Sequence, residues 1–546
     1  MFRHIRPSFY QDFCQETCVT PTCCQPAIRP TRRRVLAALL STATAPALLG
    51  LRAAHAQEEG QPFSFDGLSE RMRELAQSDP APRDEISGPL TEIDYDDFNR
   101  IRFRADHIRW ADDPSRLFRL NAFHLGWLFK EPVHMFELVD GVSRPMVFST
   151  ADFDYRDVKT ALPPDLVLPG VAGFRLMAPF NRADLYDEVG SFLGASYFRL
   201  LGRGNRYGLS ARGLAVNTGL SGEEEFPRFT EFYIERPAPG ATTITLYAAL
   251  QSDSVTGAYR FVITPGQDTT AEVTARLFFR DDIEQLGIAP LTSMYLFGGA
   301  DPGAFHDFRP AVHDSDALVL TAPDGETRFR PVSNPPRLAS SYLGMQSPAS
   351  FGLVQRERDF GQFLDAESHY ERRPTLIVEP MGDWGKGSVR LLEIPTKTET
   401  NDNIVAFWIP EAPAEAGGEM EFAYRLHWGM SPAGDGDKSR ARVLRSRVGA
   451  AGVAGVEQKS DAQKFVIDFA GGALSELPAN AEVVPVTSAT RGEITQVVLS
   501  KTDEDGVWRL VVEATTAPGS SMEITARIEG FGQVLTETWL YQWMRQ

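Results

Sequence analysis

The sequence predicts an all-β protein built of sandwiches, the last of them small and immunoglobulin-like. Three observations predict it. Short β-branched and aromatic runs recur between turn residues. Helical periodicity is rare. Roughly the last 110 residues hold six or seven such runs. The alternation of strands with long helices that would signal a parallel sheet is missing.

The first 56 residues read as an export signal. Thr31-Arg32-Arg33-Arg34-Val35-Leu36 is a twin-arginine motif, and an apolar, small-residue stretch runs from Val35 to Leu51. Ala54-His55-Ala56 is an A-x-A cleavage pattern. Thr42, Thr44 and Pro46 interrupt the apolar run, which is short for a membrane span. Cleavage after Ala56 and a periplasmic destination are expected. All four cysteines, Cys14, Cys18, Cys23 and Cys24, fall within this segment. The exported chain, 57–546, would then hold none, and at that length a core suffices without bridges.

Phe65 to Leu75 is the one clear helical pattern, with Ser64 or Asp66 near its cap. Strands follow. Thr242–Tyr247 begins after the turn Pro237-Ala238-Pro239-Gly240, and Tyr259–Ile263 ends before Pro265-Gly266. Ala271–Phe279 alternates in hydrophobicity, the mark of a half-buried strand. Pro410–Gly418 reads as a linker, after which Met420–Leu426 resumes the strand pattern. The Gly-rich stretch that follows carries the expected domain boundary, near residue 435. The predicted organisation is a sandwich domain over 57–430, a linker over 431–440 and an immunoglobulin-like domain over 441–546. Strands in the last domain are expected at Lys464–Phe469, Ala481–Thr487, Ile494–Leu499, Trp508–Ala514, Met522–Ile528 and Thr536–Tyr541.

Charge narrows the function classes. The full chain carries −18. Residues 1–56 hold seven Arg against Asp12 and Glu16, which leaves about −23 on the exported chain. Nucleic acid and anionic lipid are excluded as natural ligands, because both need a basic surface. Neutral sugars fit better, and the chain has 35 Phe, 14 Tyr and 8 Trp to stack on them.

Several motifs fail on spacing. Gly382–Ser388 lacks the phosphate-loop spacing and precedes a strand. Gly208–Gly213 is one residue too long for a nucleophile elbow. His313-Asp314 has no partner at metal-ligand spacing, so no metal and no cofactor are expected. One carboxylate stands out. Asp402 lies between two Asn, three residues after Glu399, and just before the apolar run Ile404–Trp408. That places a carboxyl at the mouth of a buried strand. Glycoside hydrolysis needs one protonated carboxyl and one carboxylate that activates water.

Specific runs carry a resemblance: Phe192–Arg199, Tyr207–Leu214, Glu224–Phe229, Leu286–Met294, His313-Asp314-Ser315, Trp384–Ser388 and Glu399–Val405. In that order they closely resemble the glucans biosynthesis proteins G and D of proteobacteria, which act on osmoregulated periplasmic glucans. The twin-arginine signal resembles that of the D member. The resemblance implies a large N-terminal β-sandwich with a cleft, a smaller immunoglobulin-like domain, and activity on β-1,2-glucan. It implies an anomer-inverting endo-glucanase, or a transglycosylase that forms cyclic glucans. The general acid falls on Asp402 and the general base on Asp314, which acts through a relay of hydroxyls and waters. Tyr370 and Glu399 match substrate-binding cleft positions, and Glu399 could raise the pKa of Asp402 by like-charge proximity or bind a sugar hydroxyl. Trp384, Arg309, Arg212, Tyr207 and His313 are further substrate-binding candidates, each of which could instead brace the core or a loop. The membrane glucan synthase and a second copy of the chain are the expected protein partners. A non-catalytic glucan-binding or assembly factor is the competing reading.

Overall fold

The structure, a computed structural model, describes residues 60–452 and 461–545. The export signal and its cysteines lie outside the described residues. Among those described, strand dominates. The one long helix, Phe65–Ala76, is capped by Ser64, whose hydroxyl accepts from Gly67 N–H at 3.0 Å. It buries Leu68 and Met72 against the sheet, where the Thr256 hydroxyl donates to Met72 O at 2.7 Å.

Two large sheets face each other. One has sixteen strands, with Arg228–Glu235, Ile244–Gln251, Val255–Thr264, Thr269–Phe279 and Glu419–Gly429 as consecutive neighbours at its centre. The other has ten, and its centre holds Ile404–Pro410, Leu286–Ser293, Ser210–Arg212 and Tyr197–Leu200. Alternation places one face of each strand inside. In Thr269–Phe279, Ala271, Val273, Ala275 and Leu277 are buried while Thr270, Glu272, Thr274 and Arg276 are half exposed. The inner faces meet through rings. Phe192 sits 5.3 Å from Phe232 and 5.4 Å from Phe261, both from the opposite sheet. These edge-to-face contacts fill the core, and truncating one such ring costs about 3–5 kcal/mol.

Leu286–Ser293 is buried along its whole length. One side faces the central core. On the other, Ala215, Leu392, Val405 and Phe407 form a second apolar layer. This strand and its neighbour Ile404–Pro410 lead directly to the functional site.

The stretch Pro410–Gly418 is not a domain linker. It carries the chain from Ile404–Pro410 in one sheet to Glu419–Gly429 in the other, and Ala414 is buried where it bridges Ile283. Residues 431–440 are also pinned. Asp435 is 4% exposed and pairs with Arg356 at 2.6 Å and Arg442 at 3.0 Å.

Beyond it, Arg442–Ala450, Gln463–Ala470, Trp508–Thr515 and Glu493–Lys501 form a four-stranded sheet. It packs on Thr538–Met544, Ser521–Gly530 and Val483–Thr490. Those three strands extend the sixteen-stranded sheet, because Thr538–Met544 pairs in parallel with Thr327–Pro331. The core of this second sandwich, built on Phe465, Trp508, Ile524 and Trp539, also takes in Val319, Phe329 and Val354.

Candidate active site

A cavity of about 1280 Å³ opens beside the ten-stranded sheet. Three strands of this sheet supply much of the polar wall. Tyr197–Leu200 brings Tyr197 and Arg199, Ser210–Arg212 brings Arg212, and Ile404–Pro410 is preceded by Asp402.

Asp402 and Asp314 are positioned by one short strand, Tyr295–Phe297. Tyr295 pairs with His313, and the next residue, Asp314, donates its N–H to Met294 O at 2.8 Å. On the same strand, Tyr295 N–H donates to Asn403 Oδ1 at 2.8 Å. Asn403 Nδ2 donates back to Tyr295 O and to Ile394 O, each at 3.0 Å. Asn403 is 1% exposed, so its amide works as a buried staple for the loop that carries Asp402. The flanking asparagine noted in the sequence therefore has a structural role.

Asp402 lines the cavity with its side chain 11% exposed. Its nearest cation is Arg199, at 3.9 Å from Oδ2, and Oδ2 is buried without a hydrogen bond. Burial pushes its pKa up, against the attraction of Arg199, Arg212 and Arg373. Asp314 is 4% exposed and does not line the cavity. Arg373 does, and its guanidinium reaches Asp314 Oδ1 at 3.0 Å. Burial pushes Asp314 up to about 6, opposed by Arg373 and reinforced by the charge of Asp402. Two carboxyls held above their ordinary range and influencing each other are the ingredients of acid–base chemistry.

Glu399 acts on this pair differently from the expectation. Its charge raises Asp314, whereas the charges acting on Asp402 are three arginines. Glu399 is held by Arg309 at 2.8 Å and accepts from the Tyr370 hydroxyl at 3.4 Å. Arg309 also pairs with Asp307 and Asp365, at 2.8 and 2.9 Å, so it ties three loops together at the edge of the site. Tyr370 is 2% exposed, and the Arg373 guanidinium lies over its ring at 4.7 Å.

The remaining candidates separate. Arg212 and Tyr207 line the cavity. Arg212 lies over the Tyr197 ring at 4.7 Å and pairs with Glu224 at 2.7 Å. The Tyr207 hydroxyl donates to Glu188 at 2.7 Å. His313 does not reach the cavity. It is buried and stacked on Tyr295 at 5.1 Å, and burial lowers it to about 4, so it stays neutral. Trp384 is a core residue, 7% exposed and packed on Trp408, Phe422 and Tyr424. Its indole N–H donates to Ala423 O at 3.1 Å.

Sequence reasoning missed Arg199 and Arg373 as site residues. Arg199 stands among apolar strand residues and Arg373 in a polar run, and only the tertiary arrangement aims them at carboxyls 203 and 59 positions away in sequence.

The family profile described as "Periplasmic glucan biosynthesis protein, MdoG" matches residues 63–543. The chain belongs to this family. Among relatives of the periplasmic glucan biosynthesis family, glucans biosynthesis protein G of Cereibacter sphaeroides is 52% identical over 96% of this chain and 100% of its own length. Protein G of Rhodopseudomonas palustris strain BisA53 is 43% identical, over 94% and 99%. Protein D of Xylella fastidiosa is 42% identical, over 89% and 90%. Family members at these identities carry both names, so identity by itself does not separate a G from a D role.

Proposed function

We propose that this chain is a periplasmic glycoside hydrolase acting on β-1,2-glucan within osmoregulated glucan biosynthesis, cutting internal bonds with inversion at the anomeric carbon. The twin-arginine signal would deliver it, and no helix among the described residues is long and apolar enough to cross a membrane. Its substrate would come from the membrane glucan synthase.

The observation that carries the reading is the pair Asp402 and Asp314. Asp402 stands on the cavity wall with an oxygen free of hydrogen bonds and a raised pKa, while Asp314 sits one layer back, beside Arg373. A general acid must touch the glycosidic oxygen, whereas a base can work through a relay. Asp402 therefore delivers its proton to the departing oxygen as the anomeric C–O bond breaks. A water attacks that carbon from the opposite face and passes its proton through hydroxyls and water to Asp314. Protonated Asp314 and ionised Asp402 then exchange protons with solvent. With a water between attack site and base, a separation beyond the usual ~6.5–9.5 Å of inverting enzymes is compatible with this route.

Incubating the exported chain with linear β-1,2-glucan and reading products by mass spectrometry and anomeric NMR tests this. Shorter linear products from the wild type, absent with Asp402→Asn and initially of the α anomer, support it. Products lighter by one water would mean cyclising transfer. Glucan that binds and survives intact would replace the hydrolase with a glucan-handling factor.

A further inference from the structure

The proposed chemistry uses one part of the cavity wall and leaves another unexplained. There the tight turn Gly126–Phe129 contributes Trp127, Leu128 and Phe129 to the lining. Gly126 and Phe129 exchange both backbone hydrogen bonds, at 3.0 and 2.9 Å. Trp127 has φ of 52°, a left-handed conformation that bulky side chains seldom adopt. The surroundings impose it. Trp127 N–H donates to Ile93 O at 3.0 Å, and its ring meets Tyr95 edge-on at 5.0 Å with Phe98 at 5.9 Å. Gly126, at φ 131°, has no room for a side chain, because a Cβ there would sit 2.8 Å from Ile93 Cβ. Backbone strain held this firmly is characteristic of ligand clamps.

Two exposed apolar side chains accompany it. Leu128 is 44% exposed and Phe226 is 47% exposed, yet both line the cavity. Phe226 lies 5.6 Å from the Arg212 guanidinium, on the Asp402 side of the wall. Two residues on, Arg228 pairs with Glu131, which lies two residues beyond Phe129, so turn and loop form one continuous surface. A single exposed apolar side chain means nothing. Two of them and a strained tryptophan converging on one cavity do. That cavity also exceeds the ~300–1,000 Å³ of small-molecule sites.

We infer that Trp127, Leu128 and Phe226 form a gripping subsite that stacks the apolar C–H faces of neutral glucosyl units away from the bond being cut. The proposal rests on the glucan reading above and extends it. Aromatic faces suit such partners because the ring faces are electron-rich and need no charge on the ligand. Binding at remote units holds a long chain across the cleavage point, so the subsite selects long glucans over short ones.

The test uses Trp127→Asn, which removes the ring while keeping a residue that tolerates left-handed backbone, together with Phe226→Ala and Leu128→Ser at exposed positions. Affinity for linear β-1,2-glucans of graded length is measured by calorimetry in the Asp402→Asn chain, and the ratio of kcat/KM for long over short glucans in the active chain. Each ring removal is expected to cut the long-over-short ratio, in affinity and in kcat/KM, about five- to tenfold. Variants that melt with their parent and keep the parent's length dependence would overturn the subsite. A parent that binds long glucan without cutting it would end the hydrolase reading, and the calorimetric arm would still decide the subsite. Failure of every length to bind would end both.

Discussion

Two buried arginine–carboxylate clusters in this chain are built from the same residue types and treat charge in opposite ways. At the joint between the two sandwiches, Arg356 donates to both oxygens of Glu537, at 2.7 and 2.9 Å, and to Asp435 at 2.6 Å. Val443 N–H adds a further bond to Glu537 at 2.8 Å. Glu537 is fully buried and fully bonded. In the cavity, Asp402 keeps an oxygen without a hydrogen bond, its nearest arginine stands at 3.9 Å, and burial lifts its pKa. Complete pairing fixes a charge in place. Incomplete pairing leaves a proton that can be given away. Position in the fold, and not composition, separates a structural knot from a candidate reactive site.

The comparison can be broken or sharpened in four ways. The largest effect is expected from Asp402→Asn, which removes the donated proton while keeping the shape. Glucan cleavage should fall by about 10²–10⁴-fold, the usual share of a positioned general acid, with folding intact by circular dichroism. Next is Arg356→Ala, which leaves Glu537 and Asp435 buried without their cation. A loss of about 3–5 kcal/mol in denaturant unfolding is expected, since removing one partner of a buried pair strands the other. Arg356→Ala losing under 1 kcal/mol would erase the contrast.

The third test concerns Asp314. Its folded pKa, about 6, lies above its unfolded value, so the folded state binds the proton more tightly. The stabilising effect is complete below about pH 4 and is lost as pH rises through 6. Asp314→Asn should therefore be more stable than wild type at pH 8, by on the order of 2–3 kcal/mol, and equal to it near pH 4. The same variant should lose the acidic limb of the kcat/KM profile. The smallest effect is expected from Arg199→Gln. Arg199 lowers the pKa of Asp402, so its loss raises that pKa and moves the basic limb of the profile upward, by about one pH unit at most. A basic limb left in place with a raised KM would show that Arg199 serves the substrate and not the acid.

Much of this was readable from local sequence, for physical reasons. Alternation fixes which face of Thr269–Phe279 is inside, and the hydroxyl of Ser64 marks a helix start by accepting one of its first free N–H groups. The expected strands all fall within a few residues of those observed, and near the C-terminus the arginine-rich Arg442–Ala450 and the two-residue Gln533–Val534 were missed. Composition misled where it measured polarity instead of contacts. Pro410–Gly418 looks like a linker because a crossover between sheets needs the same turn residues. Trp384 looks like a sugar platform because indole is amphipathic, yet its N–H is satisfied by a backbone carbonyl inside the core. The place of Asp402 at the mouth of a buried strand was visible from its own flanks. Arg199 and Arg373 were not, because a cation's role depends on which carboxyl the fold brings near it.

The parallel pairing of Thr538–Met544 with Thr327–Pro331 has a consequence for how such chains can be inherited. The C-terminal sandwich is woven into the sixteen-stranded sheet, which packs against the ten-stranded sheet beside the cavity, and Val319, Phe329 and Val354 bury themselves in its core. Cutting near residue 440 would bare that apolar surface and open a sheet edge where no edge had been. Recombination that swaps this end for another appendage would be punished at once by aggregation. The two parts are bound to descend together, as a single unit of selection whose ancestry should read the same at both ends.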